Sequence, residues 1–219
     1  MDERALNAIQ KSYDGIADEY ARHLYSELDN KPLDRELLTR FAARVKGKGA
    51  VCDMGCGPGH IARFLHDAGT NVFGLDLSLR MIEEARRLNP EISFRQGNML
   101  VLDLPDASLA GIAAFYAIVN LPREALLQVF REMARVLKPD GLLLLAFHIG
   151  DETLHRDEWW DRPVTLDFRF FSPHAIQRDL ETAGLVIEEL IERGPYAPEV
   201  EHQSRRAYIF ARKPAAAAV

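Results

Sequence analysis

Apolar and polar residues change period along this chain, and the changes mark its elements. Ala, Leu, Ile and Tyr recur at helical spacing over residues 3–28, which predicts an amphipathic helix. Asp29-Asn30-Lys31-Pro32 interrupts it, and a second helix runs from Leu33 to Val45, ended by Gly47-Lys48-Gly49. From there short apolar runs alternate with helical segments. Strands are expected at residues 50–54, 71–75, 92–96, 109–116 and 142–147, with helices over 58–68, 79–88 and 123–137. Lys138-Pro139-Asp140-Gly141 reads as a turn. The run Leu142 to Phe147 is almost continuously apolar, as in the centre of a parallel sheet. Strands alternating with helices imply βαβ units and an α/β, doubly wound sheet.

The C-terminal third reads differently. Residues 150–171 are rich in aromatics and charges without a clear period, which predicts an insertion over one sheet edge. Ser172 is placed to cap a helix ending near Ala183-Gly184. Leu185 to Glu192 and Arg206 to Ala211 read as two closing strands, and Pro214 to Val219 as a loose end. No internal repeat or linker divides the chain. The expected organisation is a single domain over 1–219: a helical cap (1–47), a ligand-binding core (48–148), an insertion or lid (149–171), and a C-terminal helix with closing strands (172–213).

Length and charge narrow the function classes. A chain of 219 residues can bury a sizeable core. A net charge of -6 without a Lys/Arg run argues against nucleic acid as partner, since phosphate binding needs a basic face. The charged start Met1-Asp2-Glu3-Arg4 lacks the apolar segment of a signal peptide, and the longest strongly apolar stretch is far too short for a bilayer. The expectation is a soluble cytoplasmic protein that does not engage a membrane. Two cysteines, Cys52 and Cys56, make no disulfide framework and, without neighbouring ligands, a poor metal site, so no metal is expected.

The chemistry concentrates around Asp53-Met54-Gly55-Cys56-Gly57-Pro58-Gly59-His60, where a strand runs into a glycine loop and then a helix. Glycines let such a loop turn tightly and approach a ligand. The dinucleotide fingerprint has a third glycine where this chain has His60. Asp53 points the same way. A carboxylate about 5 to 6 Å from a pyrophosphate charge costs roughly 3 kcal/mol at an effective dielectric near 20, and beside a cationic ligand gains as much. S-adenosylmethionine carries an ammonium and a sulfonium but no phosphate, so the acid favours it over a dinucleotide. Asp76, at the tip of the next strand, is placed either to accept hydrogen bonds from a ribose or to cap the helix at residue 79. Met81 suits an adenine wall or the core. Asn98, Met99 and Leu100 follow the third strand, where an adenine edge would lie.

These residues resemble the class I S-adenosylmethionine-dependent methyltransferases, particularly the small bacterial enzymes, over roughly residues 12–148. Asp53 to Gly59 is similar to the family's first motif (acid-x-Gly-x-Gly-x-Gly), Leu75-Asp76-Leu77-Ser78 to its ribose-binding acid, and Arg135 to Leu142 to its R-x-L-K-P-G-G segment. The resemblance implies a Rossmann-like seven-stranded sheet of order 3-2-1-4-5-7-6 with strand 7 antiparallel. It also implies S-adenosyl-L-methionine as cofactor, and cofactor contacts from Gly55, Cys56, Gly57, Gly59, Leu77 and Phe115. The family often has an acid where this chain has Asn98. It often has a histidine after the fourth strand, where this chain has none. Ser12 to Tyr20 is similar to the family's N-terminal lid. Tyr13 and Tyr20 share a helical face there, either reaching the cofactor's methionine end or packing the cap.

Methyl transfer relies on the cofactor's reactivity and the protein's alignment of donor and acceptor. A nitrogen acceptor needs little else, whereas a hydroxyl needs a base. His148 directly follows the fifth strand, at the rim where ligands bind in such sheets, and is the candidate catalytic base; a capping role is the alternative. Trp159-Trp160 suits either an anchor or an aromatic lid. The expected function is methyl transfer to a small-molecule hydroxyl or nitrogen. The competing readings are an S-adenosylmethionine sensor, cofactor-assisted cyclisation without net transfer, and a nicotinamide-dependent oxidoreductase.

Overall fold

The computed structural model describes residues 2–215; residues 216–219 of the expected loose end lie outside them. The chain begins with α1 (Glu3–Leu24), capped by the Asp2 side chain, which accepts from the Ala5 N–H at 2.8 Å. A 3₁₀ turn (Glu27–Asn30) replaces the helix's expected last turn, and α2 follows (Pro32–Val45), with Pro32 in its first turn. The alternating core is β1 (Ala50–Met54), α3 (His60–Asp67), β2 (Asn71–Asp76), α4 (Leu79–Leu88), β3 (Ser93–Gln96), β4 (Leu109–Phe115), α5 (Leu126–Val136) and β5 (Leu137–His148). After it come β6 (Thr153–Trp159), β7 (Arg162–Arg169), α6 (Pro173–Thr182), β8 (Val186–Arg193) and β9 (Arg206–Arg212).

Seven strands form one sheet in the order β3-β2-β1-β4-β5-β9-β8. β1 through β5 are parallel, and β9 runs antiparallel to both β5 and β8. Because β6 and β7 stand apart, β8 and β9 are this sheet's sixth and seventh strands, and the order is the expected 3-2-1-4-5-7-6. The apolar run of β5 is explained by burial on both faces. Leu143, Leu145 and Phe147 join the core beneath α5 and α6; Leu142, Leu144 and Ala146 join the core beneath α2, α3 and α4. The expected turn at residues 138–141 is a bulge in β5 instead, with Asp140 at φ +61°.

The expected insertion, which shows no clear period in the sequence, is a β-hairpin. β6 and β7 pair antiparallel from Thr153↔Arg169 to Trp159↔Arg162, leaving Trp160 and Asp161 as a two-residue turn with φ of +51° and +57°. Val164 and Leu166 of the hairpin pack on Ile16 of α1 in a small third core. Ser172 precedes α6 in extended geometry, but its side chain makes no capping bond. Among the described residues no helix is long and apolar enough to cross a membrane.

Candidate functional site

Strand order reverses between β1 and β4, and the site lies outside the carboxyl ends of these strands. Two adjoining cavities open there and share walls at Tyr13, Tyr20, Gly55, Gly57, Phe115 and Tyr116.

The smaller cavity lies against the glycine loop, whose backbone is already spoken for. The N–H groups of Gly55 and Cys56 both donate to the Leu75 carbonyl, at 2.7 and 3.1 Å, and that of Gly59 donates to the Cys56 carbonyl at 2.9 Å. Gly57 N–H donates to Asp76 Oδ2 at 2.9 Å. A pyrophosphate loop leaves such donors for its ligand; this one does not. The first turn of α3 is occupied too, because the buried Asp53 carboxylate accepts from the Ala62 N–H at 2.8 Å. Asp53 therefore disfavours a phosphate by sitting in the place an anion would take. It lines neither cavity, which corrects the expectation that it meets the cofactor's charge directly. Burial pushes its pKa up to about 7, against the pull of His60 and the Ala62 N–H.

Asp76 closes the smaller cavity. Oδ1 accepts from the Ser78 N–H and Oδ2 from Gly57, each at 2.9 Å, so each oxygen retains a lone pair for a ligand hydroxyl. The helix-capping alternative belongs to Ser78, whose Oγ accepts from the Met81 N–H. Ser78 Oγ in turn donates to Asp14 at 2.6 Å, docking α1 onto the start of α4, a tie that no spacing in the sequence signals. Leu77, Met81 and Met99 give the cavity apolar walls, and Asn98 lines it as well. Leu100 does not: its N–H donates to Asn98 Oδ1 and its carbonyl accepts from Gln128, so its backbone is closed to an adenine edge. Gly59 lies away from both cavities for a packing reason. At φ +87°, a Cβ there would meet Phe94 at 2.8 Å and Asn89 at 2.9 Å. At Gly57 a Cβ meets only the Tyr20 ring, at 3.7 Å, so that position keeps space on the cavity side. Tyr13 donates to Asn120 Oδ1 at 2.8 Å, and Asn120 Nδ2 donates to the Asp167 carbonyl, which ties α1 to the hairpin.

The larger cavity, about 530 Å³, lies between the rim of the sheet, the 3₁₀ turn after α1, the hairpin and the β8–β9 loop. Cys56 borders it. Tyr116 leaves β4 at φ +54°, its N–H donating to the Ala146 carbonyl. Its ring lies 5.7 Å from both Lys31 and Arg206 and 4.9 Å from the His148 ring. Glu27 pairs with His60 and Lys31 and is held ionised, with a pKa near 2. Asp34 accepts from Arg193 at 3.0 Å and from Tyr208 at 2.9 Å. This buried network draws on α2, α3, β8, β9 and the loop between the last two, and the sequence gives no local signal for it. The His60 Nδ1 is buried without a partner. Trp159 and Trp160 stack at 4.5 Å, and Trp160 also stacks on His23 at 4.8 Å, closing the hairpin tip onto α1.

His148 lines this larger cavity, with its Nδ1 2.7 Å from Ser204 Oγ and its ring stacked on Phe170. Burial, then Arg206, His202 and Lys31, lower its pKa to about 3. The expectation of a base titrating near neutrality is thereby corrected. The imidazole is neutral throughout the physiological range, and as a base it is weak. His202 packs edge-on against it at 6.1 Å. His155, by contrast, sits on the exposed side of the hairpin, bonded to Asp167 and Asp157.

A family model described as a methyltransferase domain matches residues 51–141, from β1 through the bulge of β5. The chain is 36% identical, over 153 residues, to a probable S-adenosylmethionine-dependent methyltransferase of Mycolicibacterium smegmatis, covering 69% of this chain and 57% of that one. Residues 51–141 therefore carry a methyltransferase domain, and the chain is similar to S-adenosylmethionine-dependent methyltransferases. A malonyl-[acyl-carrier protein] O-methyltransferase of Enterobacter lignolyticus is 29% identical over 70% of this chain and 58% of its own. The chain thus spans a little over half the length of these curated relatives. In fold it is similar to a crystallised S-adenosylmethionine-dependent methyltransferase of Methanosarcina mazei, with a TM-score of 0.69 at 16% identity, covering 76% of this chain and 93% of that one. For the cofactor of such methyltransferases the smaller cavity offers a fitting set of groups: a carboxylate with spare lone pairs, apolar walls, and glycine-loop N–H groups already bonded within the protein.

Proposed function

We propose that this protein transfers a methyl group from S-adenosylmethionine to a hydroxyl or nitrogen of a small molecule. The observation that carries this reading is the pair of adjoining cavities: one built around Asp76 and the glycine loop, the other a roomier aromatic chamber sharing its wall. When bound, the cofactor supplies an electrophilic methyl; the acceptor's oxygen or nitrogen gains it, the acceptor's proton goes to solvent, and S-adenosylhomocysteine remains. The protein's own contribution is alignment and exclusion of water. Asp76, with Leu77 and Met81, would hold the nucleoside. Tyr13 and Tyr20 stand at the junction of the cavities, where donor and acceptor must meet. The Trp159-Trp160 tip roofs the larger chamber against solvent.

Calorimetry with S-adenosylmethionine tests the first half, with micromolar binding, on the order of -8 kcal/mol, expected. Release of S-adenosylhomocysteine from a panel of hydroxyl and amine acceptors tests the second. Absence of binding by either the cofactor or its demethylated product would overturn the proposal.

A further inference from the structure

His148 is held from several sides, and one of its polar atoms is left over. The residue ends β5 and borders the larger cavity. Phe170 stacks on its ring at 5.1 Å and the Tyr116 ring lies 4.9 Å away, so the imidazole has little freedom to turn. Its Nδ1 lies 2.7 Å from Ser204 Oγ. Ser204 is buried, borders neither cavity, and its hydroxyl meets no other hydrogen-bond partner among the described residues. Two arrangements of the proton are open to this pair. An Nδ1–H donating to Oγ strands the hydroxyl's own hydrogen, which then has nothing to donate to. A Ser204 hydroxyl donating to a bare Nδ1 satisfies both atoms, and it places the neutral ring's proton on Nε2.

Nε2 has no hydrogen-bond partner among the described residues. Unlike His60 Nδ1 and Arg206 Nε, which are unpartnered but sealed off, it keeps accessible surface. The ring carries no charge, because burial, Arg206, His202 and Lys31 together outweigh Glu201. The charges around it are spent on one another: Lys31 donates to Glu27 at 2.6 Å, and Arg206 meets Glu201 at 3.0 Å. What faces a ligand at this point of the wall is a single, fixed, neutral N–H.

We infer that His148 orients the methyl acceptor, its Nε2–H donating to a carbonyl oxygen of an uncharged substrate. This rests on the methyl-transfer reading of the site and names its substrate class. The oxygen so held is not the atom that takes the methyl, because a donor bonded to the attacking lone pair withdraws it from the reaction. A carbonyl suits the site better than a second hydroxyl, since it brings no proton that needs an acceptor of its own. An acid group gains no ion pair from Lys31 or Arg206, which are already paired.

The test is calorimetric titration of the full chain, saturated with S-adenosylhomocysteine, at pH 6 with 4′-hydroxyacetophenone and with 4-isopropenylphenol, in which a methylene replaces the carbonyl oxygen. The two probes differ in hydration, but that difference is the same for every variant, so the quantity read is the ratio of their affinities in each protein. His148→Phe keeps a ring against Phe170 and loses the N–H; the ketone-to-alkene ratio should fall about tenfold. His148→Gln, which keeps an N–H donor, should restore part of it. Long-range proton–nitrogen correlation spectra of the wild type should show Nε2 protonated and Nδ1 bare, a readout that needs no variant to fold. A proton on Nδ1, an unchanged ratio in His148→Phe, or no binding of either probe to protein that binds S-adenosylhomocysteine overturns the inference. Failure to bind S-adenosylhomocysteine itself overturns the methyl-transfer reading instead.

Discussion

Asp53→Asn isolates the carboxylate that occupies the start of α3. The side chain is buried, accepts one hydrogen bond from the Ala62 N–H, and has its pKa pushed from 3.8 to about 7 by burial. For an acid whose folded pKa lies above its unfolded one, the stabilising contribution is complete below about pH 4. It is lost as pH rises toward 7, because the unfolded chain releases its proton first. Asparagine keeps an oxygen for the Ala62 N–H and never ionises. The stability of the variant relative to the wild type should therefore climb by about 1.4 kcal/mol per pH unit between about pH 4 and 7, then level off. Between pH 5 and pH 8 the accumulated gain is about 2.5 kcal/mol. Urea unfolding of both proteins at pH 5, 6, 7 and 8, followed by circular dichroism, reads this difference directly, and titrations elsewhere in the chain cancel between the two. A gap that stays constant over this range would refute the reasoning. It would mean that the helix N-terminus already holds the carboxylate ionised at pH 5.

Three further outcomes follow from the site. Asp76→Asn keeps one acceptor oxygen but loses the charge, and should weaken S-adenosylmethionine binding by about 1.5–3 kcal/mol in calorimetry; unchanged affinity would remove Asp76 from the ribose role. With the His148 pKa near 3, the pH–rate profile should show no inflection from this residue between pH 5 and 8. An inflection near 6.5 that disappears in His148→Gln would restore it as a neutral-pH base. Asp161→Gly, at the exposed second turn position of the hairpin, should raise stability by roughly 0.5 kcal/mol in thermal unfolding, since left-handed backbone there suits glycine; a lower melting temperature would count against a strained turn.

The sequence is legible wherever one local rule decides the structure. β1 and α4 fall at the expected residues because period and flanking turn residues agree. The hairpin was hidden for equally physical reasons. Six of the seven residues of β6 are exposed, so no apolar alternation marks the strand, and its turn, Trp160-Asp161, holds neither Asn nor Gly. In the site, Asp76 and the glycine loop belong to one contiguous βαβ segment and can be read from it. The network of Glu27, Lys31, Asp34, His60, Arg193, Glu201 and Arg206 is assembled from distant stretches, so nothing in any one stretch announces it. His148 shows the boundary between the two cases. Its place after β5 is a local fact, whereas its titration is set by burial and then by Arg206, His202 and Lys31, which the fold brings to it. Asp53 is subtler. It argues against a phosphate ligand through the helix N-terminus it occupies and not through a ligand it touches.

Two aromatic residues are held in left-handed backbone, and both line the larger cavity: Tyr116 at φ +54° and Trp160 at φ +51°. For a bulky side chain that conformation costs about 1–2 kcal/mol, and at either position glycine would avoid it. The rings explain why glycine is absent. Turning Tyr116 out of the β4 ladder sets its ring against Lys31, Arg206 and His148, which an extended residue at the strand end would not reach. Turning Trp160 at the hairpin tip lets it stack on Trp159 and on His23 of α1, joining the lid to the cap. Strain of this kind persists where surrounding contacts over-determine it, and it concentrates at functional sites. Both breaches of local backbone preference border the same chamber. The chain therefore gives up stability where an acceptor would be held.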